Sequence, residues 1–228
     1  MKKILSLLLI AILALTLVAC GASENGAPNG MKLASNPEIV DYTLYVPESW
    51  FIRESAGYTM AQAAQTDTSS VIVTNHSHTN TIEYRDAKNT MIAYLYGADE
   101  VNLSTDGSDT SDSAYREYDD SLLTKEGGYL NRLYESFDTV KNDDGTEVSS
   151  FKMIEKPAFM TLNKGDKAVV AIGFVYTAIL DGAEIQQRVV LSYDDAYYYN
   201  ITFTTAPGLY DTHETTFQTI LENFSFDD

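Results

Sequence analysis

The sequence predicts an α+β fold, an antiparallel β-sheet flanked by helices on both faces. Three observations lead there. Residues 168–180 read AVVAIGFVYTAIL, a run apolar at both alternate sets of positions, and a strand of that kind needs cover on each face. Asp181-Gly182 follows directly, the signature of a two-residue type I′ turn leading into a returning strand. After Pro207, Phe217, Ile220, Leu221 and Phe224 recur at i, i+3, i+4 and i+7, which marks an amphipathic helix able to lie on that sheet.

Composition bounds the answer. The chain has 228 residues, 44% hydrophobic and 11% aromatic, too apolar for a disordered acidic chain and too short for two large domains. It carries 15 basic against 33 acidic side chains and a single cysteine. No internal disulfide can form, so packing alone must hold the core.

The elements follow in chain order. Met1-Lys2-Lys3 is a basic head, and Ile4 to Val18 is an apolar run broken by Ser6 and Thr16. As a helix that run reaches about 22 Å, short of the roughly 30 Å hydrocarbon core. It therefore reads as an export signal rather than a stable span. Leu17-Val18-Ala19-Cys20 resembles the lipobox of bacterial lipoproteins. That resemblance implies a signal peptide over 1–19, cleavage before Cys20, and a diacylglycerol on the Cys20 thiol. Two acyl chains would anchor the protein durably, whereas one would not. Removing Lys2 and Lys3 leaves 13 basic and 33 acidic groups, a formal charge of -20. Such a surface repels phosphate backbones, so nucleic acid is excluded as a partner.

Residues 20–37 are expected to be the lipidated cysteine and a flexible tether, because GASENGAPNGMKLASNP has no apolar period. The globular domain is expected over 38–228. It begins with a strand at 41–46, where Tyr42, Leu44 and Val46 share one face, followed by the apolar cluster Trp50-Phe51-Ile52 and a short strand at 70–74. Helical spacing appears at 86–97 and, more clearly, at 129–140 through Leu130, Leu133, Tyr134 and Phe137. Asn142-Asp143-Asp144-Gly145 reads as the turn after that second helix, with short strands at 145–154 and 158–162.

The Asp181-Gly182 turn fixes a testable register for the main hairpin. It sets Ala178 against Ile185, Phe174 against Val189, Ile172 against Leu191 and Val170 against Tyr193, with only Tyr176 against Gln187 departing from an apolar face. A slip of one residue would bring Glu184, Gln186 and Arg188 onto that face. A third strand over 197–204 follows by alternation.

Tyr42-x-Leu44-x-Val46-Pro47-x-x-Trp50, the strand pair at 183–205, and the closing Ile220-Leu221-x-x-Phe224-x-Phe226 resemble PsbP-like domains. That group includes an extrinsic subunit of photosystem II, a Ran-binding nuclear-import factor and many bacterial lipoproteins. The resemblance implies an α/β/α sandwich with an antiparallel sheet. It covers about half of the mature chain and leaves 76–150 unmatched, which reads as an insertion. The group shares no active site, so none is carried over.

Candidate chemistry is sparse. His76 and His78 would share a strand face, and His213 beside Glu214 could complete a zinc set, but surface histidines are the simpler reading. The acidic stretch 99–120 holds Asp106, Asp109 and Asp112, spaced three apart rather than on the alternate positions of an EF-hand. It reads as a solvated loop, with calcium as the alternative. The 16 tyrosines raise carbohydrate stacking, though half-buried strands explain them as well. No GxSxG, P-loop or dinucleotide fingerprint occurs. The expectation is a non-catalytic binding or scaffold lipoprotein on the extracytoplasmic face of a bacterial membrane, with no cofactor and an envelope partner. A calcium-responsive or carbohydrate-binding module, or a hydrolase whose site forms only on folding, are the alternatives.

Overall fold

The computed structural model describes residues 26–55, 58–63, 69–77, 87–97, 117–165, 167–194 and 197–227. The chain opens with β1 (Met31–Leu33), β2 (Tyr42–Thr43), β3 (Tyr45–Pro47), β4 (Phe51–Ser55), β5 (Tyr58–Gln62) and β6 (Ser70–Ser77). Then come α1 (Ala87–Tyr96), a 3-10 turn η1 (Asp120–Thr124), α2 (Tyr129–Glu135), and the short strands β7 (Thr139–Lys141) and β8 (Glu147–Ser149). Four long strands follow: β9 (Lys152–Lys164), β10 (Lys167–Leu180), β11 (Ala183–Asp194) and β12 (Tyr197–Thr205). The chain closes with η2 (Pro207–Leu209), α3 (Tyr210–Glu222) and β13 (Ser225–Phe226).

The hairpin β10–β11 forms in the register its sequence dictates: Ala178 faces Ile185, Tyr176 faces Gln187, Phe174 faces Val189 and Ile172 faces Leu191. Asp181 (φ 51°) and Gly182 (φ 78°) both adopt the positive angles of a type I′ turn. The departure at Tyr176 and Gln187 has a physical account. The Tyr176 hydroxyl donates to the Gln187 side-chain oxygen Oε1, and Gln187 Nε2 donates to Thr204 Oγ1 at 2.7 Å on the next strand, so both polar ends are satisfied inside the sheet.

This hairpin is the middle of a nine-stranded sheet ordered β2-β13-β9-β10-β11-β12-β6-β5-β4. The sheet is mixed, not purely antiparallel as expected, because β13 runs parallel to β9 through Ser225–Asn163 and Phe226–Lys164. The cause is the connection. α3 leads the chain away from β12 to the far edge of the sheet, where β13 arrives in the direction of β9.

The buried side chains form two clusters, and alternate residues of β10 divide between them, as strand geometry requires. Ala171 and Val175 join Tyr42, Leu44, Val46, Phe203 and the α3 residues Phe217, Ile220 and Leu221. Ile172, Phe174, Tyr176 and Ala178 join Met91 and Leu95 of α1, Leu122 of η1 and Leu130 of α2. The second cluster is threaded by aromatic rings: Tyr198 on Tyr94 at 4.0 Å, Tyr94 on Tyr129 at 5.6 Å, and Tyr176 on Phe151 at 4.7 Å.

Other expectations change. The tether assigned to 20–37 does not extend that far. Met31–Leu33 pairs with Tyr45–Pro47, and Ala27, Met31 and Ala34 are buried. Small or flexible apolar residues carry no readable period, yet Met31 and Ala34 join the same buried cluster as Val46 and Tyr42. The helix expected at 129–140 stops at Glu135, where the Ser136 N–H bonds back to the Leu133 carbonyl, and 139–141 is strand instead. The strands expected at 145–154 and 158–162 are β8 and one long β9. Two irregularities keep β9 in step with β10, at Ile154 and at Lys156-Pro157, where the proline leaves no amide for a regular ladder.

Candidate functional site

A groove of about 700 Å³ opens between η1, α2, the β7–β8 hairpin and the start of β9. Each wall is fixed by local chemistry. Asp119 caps η1 by accepting the Ser121 N–H at 2.9 Å, which turns Leu122 and Leu123 inward and Asp120 outward. The buried Asn131 amide of α2 donates to the Leu123 carbonyl at 3.0 Å, locking η1 to α2. α2 in turn starts against α1: a side chain on Gly128 would meet the Leu95 carbonyl oxygen at 2.6 Å.

The third wall is the β7–β8 hairpin. Asp144 accepts the Thr146 N–H at 2.9 Å and the Thr146 hydroxyl at 2.6 Å, and those bonds hold its carboxyl below the usual range. Gly145 takes φ 85°. The Asn142–Gly145 turn thus forms where the sequence places a turn, but it joins β7 to β8 rather than a helix to a strand. Ser149 Oγ donates to the Tyr134 carbonyl at 2.6 Å, and Asp138 accepts the Gly182 N–H at 2.8 Å, tying this hairpin to the main one.

Leu123, Val140, Val148, Phe151 and Met153 give the groove an apolar floor, while Asp120, Asp143, Lys141 and Lys152 set two carboxylates and two ammonium groups around it. Asp120 is oriented by the Tyr118 hydroxyl at 2.9 Å. The Tyr118 hydroxyl itself is pushed well above the ordinary tyrosine value by burial first and then by Asp120. An apolar floor with polar groups of both signs suits a ligand with apolar and hydrogen-bonding parts. A smaller recess of about 390 Å³ lies beside Ile39, Asp41, Asn75, Tyr197 and Asp227, where the Tyr199 hydroxyl donates to Asp41.

The sequence-predicted residues fall as follows. Cys20, His78 and Asp106, Asp109 and Asp112 lie outside the described residues. His76 stands opposite Tyr198 on β6. His213 sits on α3 with its ring 6.5 Å from Trp50 and 6.0 Å from Phe217. The structure separates the two: Trp50 precedes Phe51, whose row leads through Gln62 to Ser70, and six residues of strand, about 20 Å, lie between Ser70 and His76. Among the described residues no group of three His, Cys, Asp or Glu side chains converges on a metal position. Of the tyrosines, Tyr42, Tyr176 and Tyr199 are fully buried, so core packing accounts for them. Sequence reasoning missed the groove, because its lining residues come from five elements. It also missed Arg188, whose guanidinium reaches Tyr210 Oη at 3.0 Å, Glu155 at 3.5 Å and Glu214 at 3.6 Å, pinning α3 to β11 and β9.

No family model and no curated protein sequence matches the chain. Solved structures are similar to it. Cyanobacterial PsbP from Synechocystis sp. PCC 6803 aligns at 10% identity over 91% of this chain and 98% of that one, with TM-score 0.46. It belongs to the group that the Tyr42–Trp50 opening resembles. LpqN of Mycobacterium tuberculosis, described as involved in cell envelope biogenesis, aligns at 12% identity over 81% and 82%, with TM-score 0.44. A Pseudomonas aeruginosa protein of unknown function, described as a regulator candidate, aligns at 15% identity over 86% and 96%, with TM-score 0.37. These superpositions are loose, and no activity or partner transfers from them. Among the described residues no helix is long and apolar enough to cross a membrane.

Proposed function

We propose that the chain is a lipid-anchored extracytoplasmic domain that binds rather than catalyses, using the groove between η1, α2 and the β7–β8 hairpin. The groove, apolar below and bearing both charge signs around it, is the observation that carries the binding role. The anchor rests on Leu17-Val18-Ala19-Cys20. The fold is read as an α/β/α sandwich of PsbP-like type. Its support is the division of β10 between one cluster with α3 and another with α1 and α2.

Two measurements test this. Cys20→Ala should move the protein from membrane to soluble fractions, and full retention would end the anchor reading. A photo-crosslinking residue at Asn142, on the groove, should give a discrete adduct in cells, weakened by Lys152→Glu, whereas one at the exposed Gln218 on α3 should give none. Equal adducts at both positions, or none at either, would end the binding role.

A further inference from the structure

We propose that the sheet face bearing Phe51, Arg53 and Tyr58 binds an uncharged oligosaccharide of N-acetylated sugars. This surface is a second site, since none of its residues lines the groove.

Register places it. Phe51 stands opposite Gln62, Gln62 opposite Ser70, Ser70 opposite Thr204, and Thr204 opposite Gln187, the partner of Tyr176. A second row runs from Arg53 through Met60, Ile72 and Thr202 to Val189 and Phe174. A third runs from Tyr58 through Thr74 and Asn200 to Leu191 and Ile172. Directly opposed residues share a face, so all three rows lie on the side of Tyr176, Phe174 and Ile172. There α1, η1 and α2 form a buried cluster with β10 and β11 that includes no residue of β4, β5 or β6. Met60 and Ile72 are half-buried and join neither buried cluster. On the opposite face the hydroxyls of Tyr42 and Thr59 bond at 2.8 Å, so the sheet curls toward α3 and turns these rows outward.

The side chains have the chemistry of a sugar platform. Phe51 is 55% exposed and Tyr58 is 39% exposed. Their Cα atoms stand about 14 Å apart, four residues along the strand and one strand across. That spacing suits a chain of several sugars, whose C–H groups stack on the electron-rich faces of the two rings. Met60 lies between them, two residues from Tyr58 on β5 and opposite Ile72. Arg53 is exposed, and no hydrogen bond or ion pair engages it among the described residues.

Charge selects the occupant. Arg53 is the one charged group among the described side chains of the three rows, in a chain with 33 acidic and 15 basic residues. Such a chain repels polyanions, and the rows offer no described carboxylate to a cationic partner. An uncharged ligand that accepts hydrogen bonds and presents apolar groups fits. The acetamido group supplies both: its carbonyl accepts from the Arg53 guanidinium, and its methyl meets Met60 and Ile72.

The test titrates the full chain, held in zwitterionic detergent, with the β-1,4-linked hexamer of N-acetylglucosamine by calorimetry. Phe51→Ala and Tyr58→Ala should each weaken binding by on the order of tenfold, the loss of one stacked ring. Arg53→Gln should weaken it several-fold, and Ile154→Ala, a 56% exposed residue of β9, should leave it unchanged. The glucose hexamer, which lacks the acetamido groups, should bind several-fold more weakly. Absence of binding by the parent, or binding unaltered in the Phe51 and Tyr58 variants, overturns the proposal. Equal affinity for the glucose hexamer overturns the choice of N-acetylated sugars. Self-association of the parent that Phe51→Ala abolishes would assign this face to a second copy of the chain instead.

Discussion

Gly128→Ala isolates a single physical cause. Gly128 has φ -88°, an angle any residue adopts, so backbone strain plays no part. What forbids a side chain is space: a Cβ there would lie 2.6 Å from the Leu95 carbonyl oxygen and 2.6–2.8 Å from the Tyr96 backbone. These are main-chain atoms of α1, which cannot rotate aside, so α1 and α2 must separate. Overpacking of this kind costs about 1–3 kcal/mol, and alanine caps a helix less well than glycine, which places the total near the upper end, roughly 2–3 kcal/mol. For a domain of about 200 residues each kcal/mol lowers Tm by roughly 2–4 °C, giving a fall of about 4–12 °C. Gly208→Ala is the matched control, because nothing lies within 4 Å of its added Cβ; it should be neutral or stabilise by up to about 1 kcal/mol. Calorimetry on both variants decides the matter. A Gly128→Ala protein melting within a degree of the parent would refute the close approach of α1 and α2, and with it the inner wall of the groove.

Phe217→Ala should destabilise by about 3–5 kcal/mol in a urea melt, because the ring is fully buried and packs 4.7 Å from Phe203; a loss below 1 kcal/mol would contradict the placement of α3. Gly182→Ala should cost about 1–2 kcal/mol, since φ 78° is strained for any side chain although the space is open, and a neutral result would mean the turn is not type I′. Stability should fall at high pH. Burial raises Tyr94 and Tyr210 above 10.0, the ordinary tyrosine value. A raised folded pKa means the contribution is complete below the unfolded value and is lost as pH climbs through the folded one. Near-ultraviolet tyrosinate absorbance should therefore appear late and together with unfolding; a smooth, fully reversible titration of all tyrosines near pH 10 would argue against these burials. At the acid end, Asp144 is held down by Thr146, so the Thr146 amide resonance should shift only as pH drops below the ordinary carboxylate range, and Asp144→Asn should remove that shift.

The β10–β11 register, the α3 stripe and the turn at 142–145 were legible in the chain because each is local. A two-residue turn sets every pair that follows it, and a period of 3.6 or 2 needs only neighbours to be read. Tertiary structure decided what depends on residues far apart in sequence. Met31 and Ala34 look like linker until Val46 and Tyr42 are placed over them. β13 is parallel because α3 carries it across to β9. Arg188 gains its partners from β9 and α3, and the groove exists only where η1, α2, β7–β8 and β9 converge. Contacts of that kind leave no period in a single sequence, since the residues that make them are chosen by packing against partners tens of positions away, as Arg188 is by Glu155 and Ser225 by Asn163. The sequence by itself thus determined the β10–β11 hairpin and its register, the α3 stripe and the acidic, disulfide-free character of the chain. The fold alone decided that residues 31–33 are strand rather than tether, which way the last strand runs and where a ligand could sit.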